Sequence, residues 1–117
     1  MNYAITAPTL FDGHTFHTDH CVVIEGERIT EVLPTEKLPN GMERQVLTEG
    51  ILAPGFIDIQ VNGGGGVMLN NTATREGVDQ MARGHRPYGT TSMMPTLISD
   101  TREVQQAGID AVRTAKA

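Results

Sequence analysis

Tryptophan is absent from this sequence, and cysteine occurs once, as Cys21. A single thiol closes no internal disulfide, so the chain is not a disulfide-stapled scaffold. Cys21, at the edge of an apolar run, reads as a small core residue in a reducing compartment. Long hydrophobic runs are missing too. Nothing approaches the roughly 20 consecutive apolar residues that span a bilayer, and Met1-Asn2-Tyr3 does not begin a secretory leader. There is no basic run, and a net charge of −5 makes the chain a poor partner for nucleic acid or an anionic membrane. The expectation from these absences is a cytoplasmic protein with no nucleic-acid and no membrane partner. No Ser-His-Asp arrangement, cysteine pair or acidic cluster with metal-ligand spacing is present, and no internal repeat. What remains is one ordinary domain's worth of chain. Hydrophobic residues make up 38% of its 117 residues, and they recur in blocks unlike a disordered composition.

The pattern of those blocks changes near Pro54. Residues 1–53 read as β-structure. Cys21-Val22-Val23-Ile24 and Ile29-Thr30-Glu31-Val32-Leu33 flank a turn at Gly26, which predicts a hairpin. Leu10-Phe11-Asp12-Gly13 closes an earlier strand, and Val46–Leu52 is read as a later one. Short strands between turn signals suggest part of a small sandwich. Residues 54–117 alternate strand and helix. Phe56–Asn62 is the first strand and Thr90–Ile98 the second, with Pro95 near its end. Between them Val78, Met81, Ala82 and His85 share one helical face over Thr72–His85, with Thr72 or Thr74 as cap. A last helix is capped by Ser99 or Asp100 and presents Val104, Gly108, Ala111, Val112 and Ala115 on one face. Strand–helix alternation predicts a parallel sheet. Two such units cannot close a barrel of eight, so the end of the chain reads as a truncation of something longer.

The polar residues worth weighing cluster at the end of the first strand. Asp58, Gln60 and Asn62 alternate along it and share a face. In a barrel, the C-terminal strand end is where sites are built. The amides of Gln60 and Asn62 donate and accept hydrogen bonds but are poor metal ligands beside imidazole or thiolate. Two readings stand for them: a polar layer inside the sheet, or the lining of a site. Gly63-Gly64-Gly65-Gly66 follows. These glycines let backbone approach a ligand closely, but no Lys-Ser/Thr follows as a phosphate loop requires, and a plain turn is the other reading. His14, His17 and His20 are three apart. In extended chain that spacing alternates faces, so the expectation is that they do not converge on a metal. His85, on an apolar helical face, is expected to be structural.

The segment Ile51–Gly66, ILAPGFIDIQVNGGGG, carries a resemblance. It is similar to the first barrel strand of amidohydrolases, where a PGFID-x-H-x-H run follows a small β-domain with a hairpin like Ile24–Ile29. Here Pro54–Asp58 keeps the PGFID, while Gln60 and Asn62 stand where the wider superfamily has its metal-binding histidines. That exchange resembles the single-metal branch formed by the N-acetylglucosamine-6-phosphate deacetylases. Gly89-Thr90-Thr91-Ser92-Met93-Met94-Pro95-Thr96-Leu97-Ile98-Ser99 resembles the same family's second strand. The resemblance spans essentially the whole chain. It implies the fold class: α/β, the first two βα units of a (β/α)8 barrel (54–117) preceded by a β-sandwich portion (1–53). It implies a metal-dependent hydrolase acting on an amino sugar phosphate to release acetate, a homodimer when full length. It also implies one divalent metal, zinc, whose ligands and acid–base groups lie outside this chain, so that the chain alone is inactive. The site residues it implies here are Gln60, Asn62, Gly63, Gly64 and Thr96, as substrate or metal-supporting groups.

Two other readings compete. A different amidohydrolase, a cyclic-amide hydrolase or deaminase, is disfavoured by the missing histidine pair. A non-enzymatic β-rich binding module predicts a monodisperse, cooperatively melting monomer. The deacetylase reading predicts that the strands around Ile59 and Met93 run parallel.

Overall fold

Short apolar runs between turn residues build the first half of the chain into seven strands. In the computed structural model, which describes residues 2–116, these are β1 (Asn2–Thr6), β2 (Thr9–Phe11), β3 (Phe16–His17), β4 (His20–Glu25), β5 (Arg28–Pro34), β6 (Glu43–Val46) and β7 (Ile51–Leu52). Seen by contacts, the chain divides into two units after Pro54. In the first, one sheet has the order β5-β4-β1-β6 and a smaller one the order β3-β2-β7. The β4–β5 hairpin pairs Glu25 with Arg28 across a two-residue turn, and Gly26 there has φ of 63°, a value side chains disfavour. Ala4, Cys21 and Val23 from the large sheet pack with Leu38 into a core. The sheet's other face sends Ile5, Val22 and Ile24 toward Leu10 and Leu52 of the smaller sheet, around an apolar hollow of about 210 Å³. The large sheet is apolar on both faces because both are covered, one by Leu38 and the other by the smaller sheet.

Two expectations for this half need correction. The single strand read over Val46–Leu52 is two pieces, β6 and β7, in different sheets. Gly50, with φ of 85°, turns the chain between them. The histidines also behave differently from a straight strand. His17 and His20 stack with ring centroids 4.5 Å apart, because Thr18-Asp19 is a tight turn in which Asp19 takes φ of 55°. The rings meet across a bend that spacing alone does not reveal. His17 Nε2 lies 2.8 Å from Asp12 Oδ2. No group of three or more His, Cys, Asp or Glu able to hold a metal occurs among the described residues.

The second unit contains β8 (Phe56–Val61), β9 (Gly63–Gly64), β10 (Val67–Met68), α1 (Arg75–His85), β11 (Thr90–Pro95) and α2 (Arg102–Lys116). β8 and β11 pair in parallel, with Met93 opposite Asp58 and Pro95 opposite Val61, as the strand–helix alternation predicts. Val61, Leu69, Val78, Met81 and Ala111 form the core. Burying each of the larger side chains stabilises by about 1.5–3 kcal/mol. α1 begins three residues later than expected: Thr74, not Thr72, is the cap, and its hydroxyl accepts from the Gly77 N–H at 3.1 Å. α2 is likewise capped later than expected. The Thr101 carbonyl accepts from the Gln105 N–H at 3.0 Å and the Thr101 hydroxyl accepts from the Val104 N–H at 3.4 Å. Asp100 instead accepts from the Thr101 N–H. β11 stops at Pro95 rather than Ile98, since proline offers no N–H to the ladder.

Candidate functional site

All five residues named from sequence lie at the C-terminal end of the β8–β11 pair or in the turn that follows it. The strand places Gln60 and Asn62 on one side of the sheet, two residues apart. Gln60 is exposed and Asn62 half-buried. The Gln60 N–H donates to Asp58 Oδ1 at 3.1 Å, so the polar row of this face is internally linked. Asn62 reaches across to the neighbouring strand end: its Nδ2 donates to the Thr96 carbonyl at 2.9 Å. The Thr96 N–H in turn donates to the Val61 carbonyl at 2.8 Å. Asn62 and Thr96 are thus brought together, and Gln60 stands one strand step below Asn62.

The four glycines are not a loose turn. Gly63–Gly64 pairs antiparallel with Val67–Met68, and Gly65 and Gly66 both have positive φ, 60° and 86°. Two successive positive φ values make the tight hairpin turn for which glycine is favoured. This hairpin lies against α1. His85 Nε2 is 2.9 Å from the Gly63 carbonyl, and Gln80 Nε2 donates to the Gly65 carbonyl at 2.8 Å. The Asn62 carbonyl accepts from the Leu69 N–H at 2.9 Å, which closes the hairpin back onto the strand.

Sequence reasoning missed Asn70. Its Nδ2 donates to the Ile98 carbonyl at 3.0 Å and to Asp100 Oδ2 at 2.9 Å, and its Oδ1 accepts from the Ile98 N–H at 3.1 Å. It ties the loop after β10 to the loop after β11. The Asn70 amide, and after it the Thr101 N–H, hold the Asp100 carboxyl below its ordinary range. An Asn-Asn pair after a short apolar run signals a loop but not the bond partner 28 residues away. A cleft of about 270 Å³ lined by Asp79, Arg83, Arg86, Thr90 and Ser92 includes none of the five.

The five candidate residues themselves offer only neutral chemistry, with the Asp58 carboxylate two residues below Gln60 on the same face. Amide donors and acceptors can orient a carbonyl, a hydroxyl or a bound water. They supply no nucleophile, and they do not fit a metal ion unaided, since neutral amides are weak ligands.

Residues 2–51 match the family model described as the NagA composite domain. The chain is 55% identical over 69 residues to an N-acetylgalactosamine-6-phosphate deacetylase of Shewanella sp. (strain ANA-3), covering 59% of this chain and 18% of that protein. It is 33% identical over 113 residues to an N-acetylglucosamine-6-phosphate deacetylase of Haemophilus influenzae, covering 97% of this chain and 30% of that protein. A crystal structure of N-acetylglucosamine-6-phosphate deacetylase from Pasteurella multocida superposes with a TM-score of 0.92 at 28% identity, covering 99% of this chain and 31% of that one. Over nearly its whole length, the chain is thus similar to the N-terminal part of proteins named N-acetylglucosamine-6-phosphate deacetylase. It spans less than a third of the length of these relatives. The match to the composite domain ends at Ile51, before the β8 strand and its glycine hairpin begin.

Proposed function

We propose that this chain forms the first wall of the active site of an amino sugar phosphate deacetylase. The reaction is hydrolysis of the acetamide of N-acetylglucosamine 6-phosphate to glucosamine 6-phosphate and acetate. The observation that carries this reading is the row Asp58, Gln60, Asn62 ending in a glycine hairpin beside Thr96, at the C-terminal end of parallel strands. In a barrel enzyme that is the face where sites are built. The domain reading is that 1–53 supplies a β-sandwich portion and 54–117 the first two βα units of a (β/α)8 barrel.

The roles follow from chemistry. Gln60 and Asn62 supply neutral hydrogen bonds to substrate or to a bound water, Gly63 and Gly64 allow close backbone approach, and Thr96 holds Asn62 in place. The residues present do not fit a metal by themselves, since neutral amides are weak ligands. A single divalent metal, zinc, belongs to this reading only with ligands from outside these residues. The full-length protein is read as a cytoplasmic homodimer, and the chain alone as inactive.

A second reading concerns the sugar. The 55% identity to the Shewanella protein, named for the galactosamine epimer, favours N-acetylgalactosamine 6-phosphate. Both are tested by grafting residues 2–116 in place of the matching N-terminal region of the Haemophilus influenzae and Shewanella relatives. Acetate release is then measured with each epimer. The expected result is activity in both chimeras, and the shift in epimer ratio against each parent reads the preference. Two folded but inert chimeras would overturn the proposal.

A further inference from the structure

We infer that His85, seconded by Gln80, is a positioning residue that sets the Asn62–Gly66 backbone at the strand end. The inference deepens the deacetylase reading and rests on it for its kinetic consequence. Its structural part stands on contacts inside the second unit.

Gln80 and Gly84, and Met81 and His85, are each four apart on α1, so the four residues form one strip of the helix. Met81 points into the core. The other three meet the glycine hairpin. A Cβ on Gly84 would lie 2.3 Å from the Gly65 nitrogen, one on Gly65 2.7 Å from the Gln80 carbonyl oxygen, and one on Gly64 2.6 Å from His85 Nε2. Three positions are thus stripped to glycine where helix and hairpin meet. The gain is that two side chains of α1 come within hydrogen-bond reach of hairpin carbonyls, Gly63 at 2.9 Å and Gly65 at 2.8 Å.

A structural side chain filling this space has no need of a donor. His85 faces a backbone carbonyl, an acceptor only, so Nε2 must carry the proton. The carbonyl it holds is the one immediately after Asn62, whose side chain is tied to Thr96. Asn62 is therefore fixed by its side-chain amide toward β11 and by its own carbonyl to the Leu69 N–H, and the Gly63–Gly64 peptide one step further on is held toward α1. Loss of the α1 bond leaves the Gly63–Gly64 peptide held by the β10 pairing alone, and a shift of that hairpin carries with it the direction in which Asn62 presents its amide. Displacements of this kind, well short of the reacting atoms, cost catalysis steeply.

The test has two arms. In the first, the chain itself is studied by nitrogen NMR of its histidine rings. The expected result is His85 as the Nε2–H tautomer near neutral pH. His85→Leu should move the amide signals of Gly63–Gly66, and His85→Gln, whose amide reaches the same carbonyl, should restore them. An Nδ1–H tautomer, or glycine signals indifferent to His85→Leu, would overturn the inference. Should His85→Leu not fold, Gln80→Ala removes the second bond from an exposed helix position, and unmoved Gly65 and Gly66 signals then overturn it. In the second arm the same variants are placed in the active chimera. His85→Leu should lower kcat/KM by about tenfold or more, with His85→Gln recovering most of it at matched thermal midpoint. Equal losses in both variants, or none, would reduce His85 to packing and sink the inference. An inert parent chimera would instead sink the deacetylase reading and leave the NMR arm to decide.

Discussion

At the scale of single residues, the second unit's site depends on what glycine omits. Gly84 sits mid-strip on α1, with the Gly65 nitrogen 2.3 Å from where an added Cβ would stand. Helix interiors ordinarily favour Ala over Gly by about 0.5–1 kcal/mol. Here the sign should reverse, because the obstacle is backbone. Gly84→Ala is expected to destabilise by about 1–3 kcal/mol, in the range of overpacked sites, as read from urea denaturation. A stabilised variant would show that the hairpin yields. In the first unit, the Asp12 carboxylate accepts from the His17 ring and from the N–H groups of Thr15 and His14. The His17 bond first, then those of Thr15 and His14, hold its carboxyl well below the usual carboxylate range. A depressed folded pKa stabilises above the unfolded value, near 3.9, and that stability is lost as pH falls below it. Asp12→Asn should therefore lower the denaturation midpoint at neutral pH, and the gap to the parent should close as pH drops below about 4. A gap that stays constant with pH would contradict this account.

At the scale of elements, the cap of α1 is a single hydroxyl. Thr74→Ala is expected to cost about 1 kcal/mol and Thr74→Ser to cost little, measured by thermal melting. Equal melting points for all three would place the helix start elsewhere. The element also shows what sequence could and could not deliver. Helix α1, the β4–β5 hairpin and the β8 strand were legible because each is long enough to display a period or is bounded by a turn residue. The later start of α1 was not, since Thr72 and Thr74 are equally good caps in isolation and only the Gly77 bond decides between them. The β9–β10 hairpin was hidden because strands of two residues carry no alternation. The His17–His20 stack depends on Asp19 adopting a positive φ, which a non-glycine residue does not announce. Among the candidate site residues, Gln60 and Asn62 drew notice by their place at a strand end, and Thr96 only through the family resemblance. Asn70 and the clasp of His85 on Gly63 did not, because long-range partners are set by packing and leave no local pattern.

At the scale of the whole molecule, apolar surface is conspicuous on the second unit. Ile57 and Ile59, on one face of β8, are 72% and 74% exposed. Patches of this kind are association surfaces. The chain studied alone should self-associate with rising concentration in analytical ultracentrifugation, and Ile57→Lys with Ile59→Lys should disperse it. A monodisperse parent would favour the independent binding module instead. The first unit is readable separately, through its sulfur. Cys21 is fully buried, its thiol donates to the Leu33 carbonyl at 3.4 Å, and burial pushes its pKa up. Thiol reagents attack the exposed thiolate, so reaction requires the core of Ala4, Val23 and Leu38 around Cys21 to open. With one cysteine in the chain, the rate of that modification is a clock for breathing of the first unit.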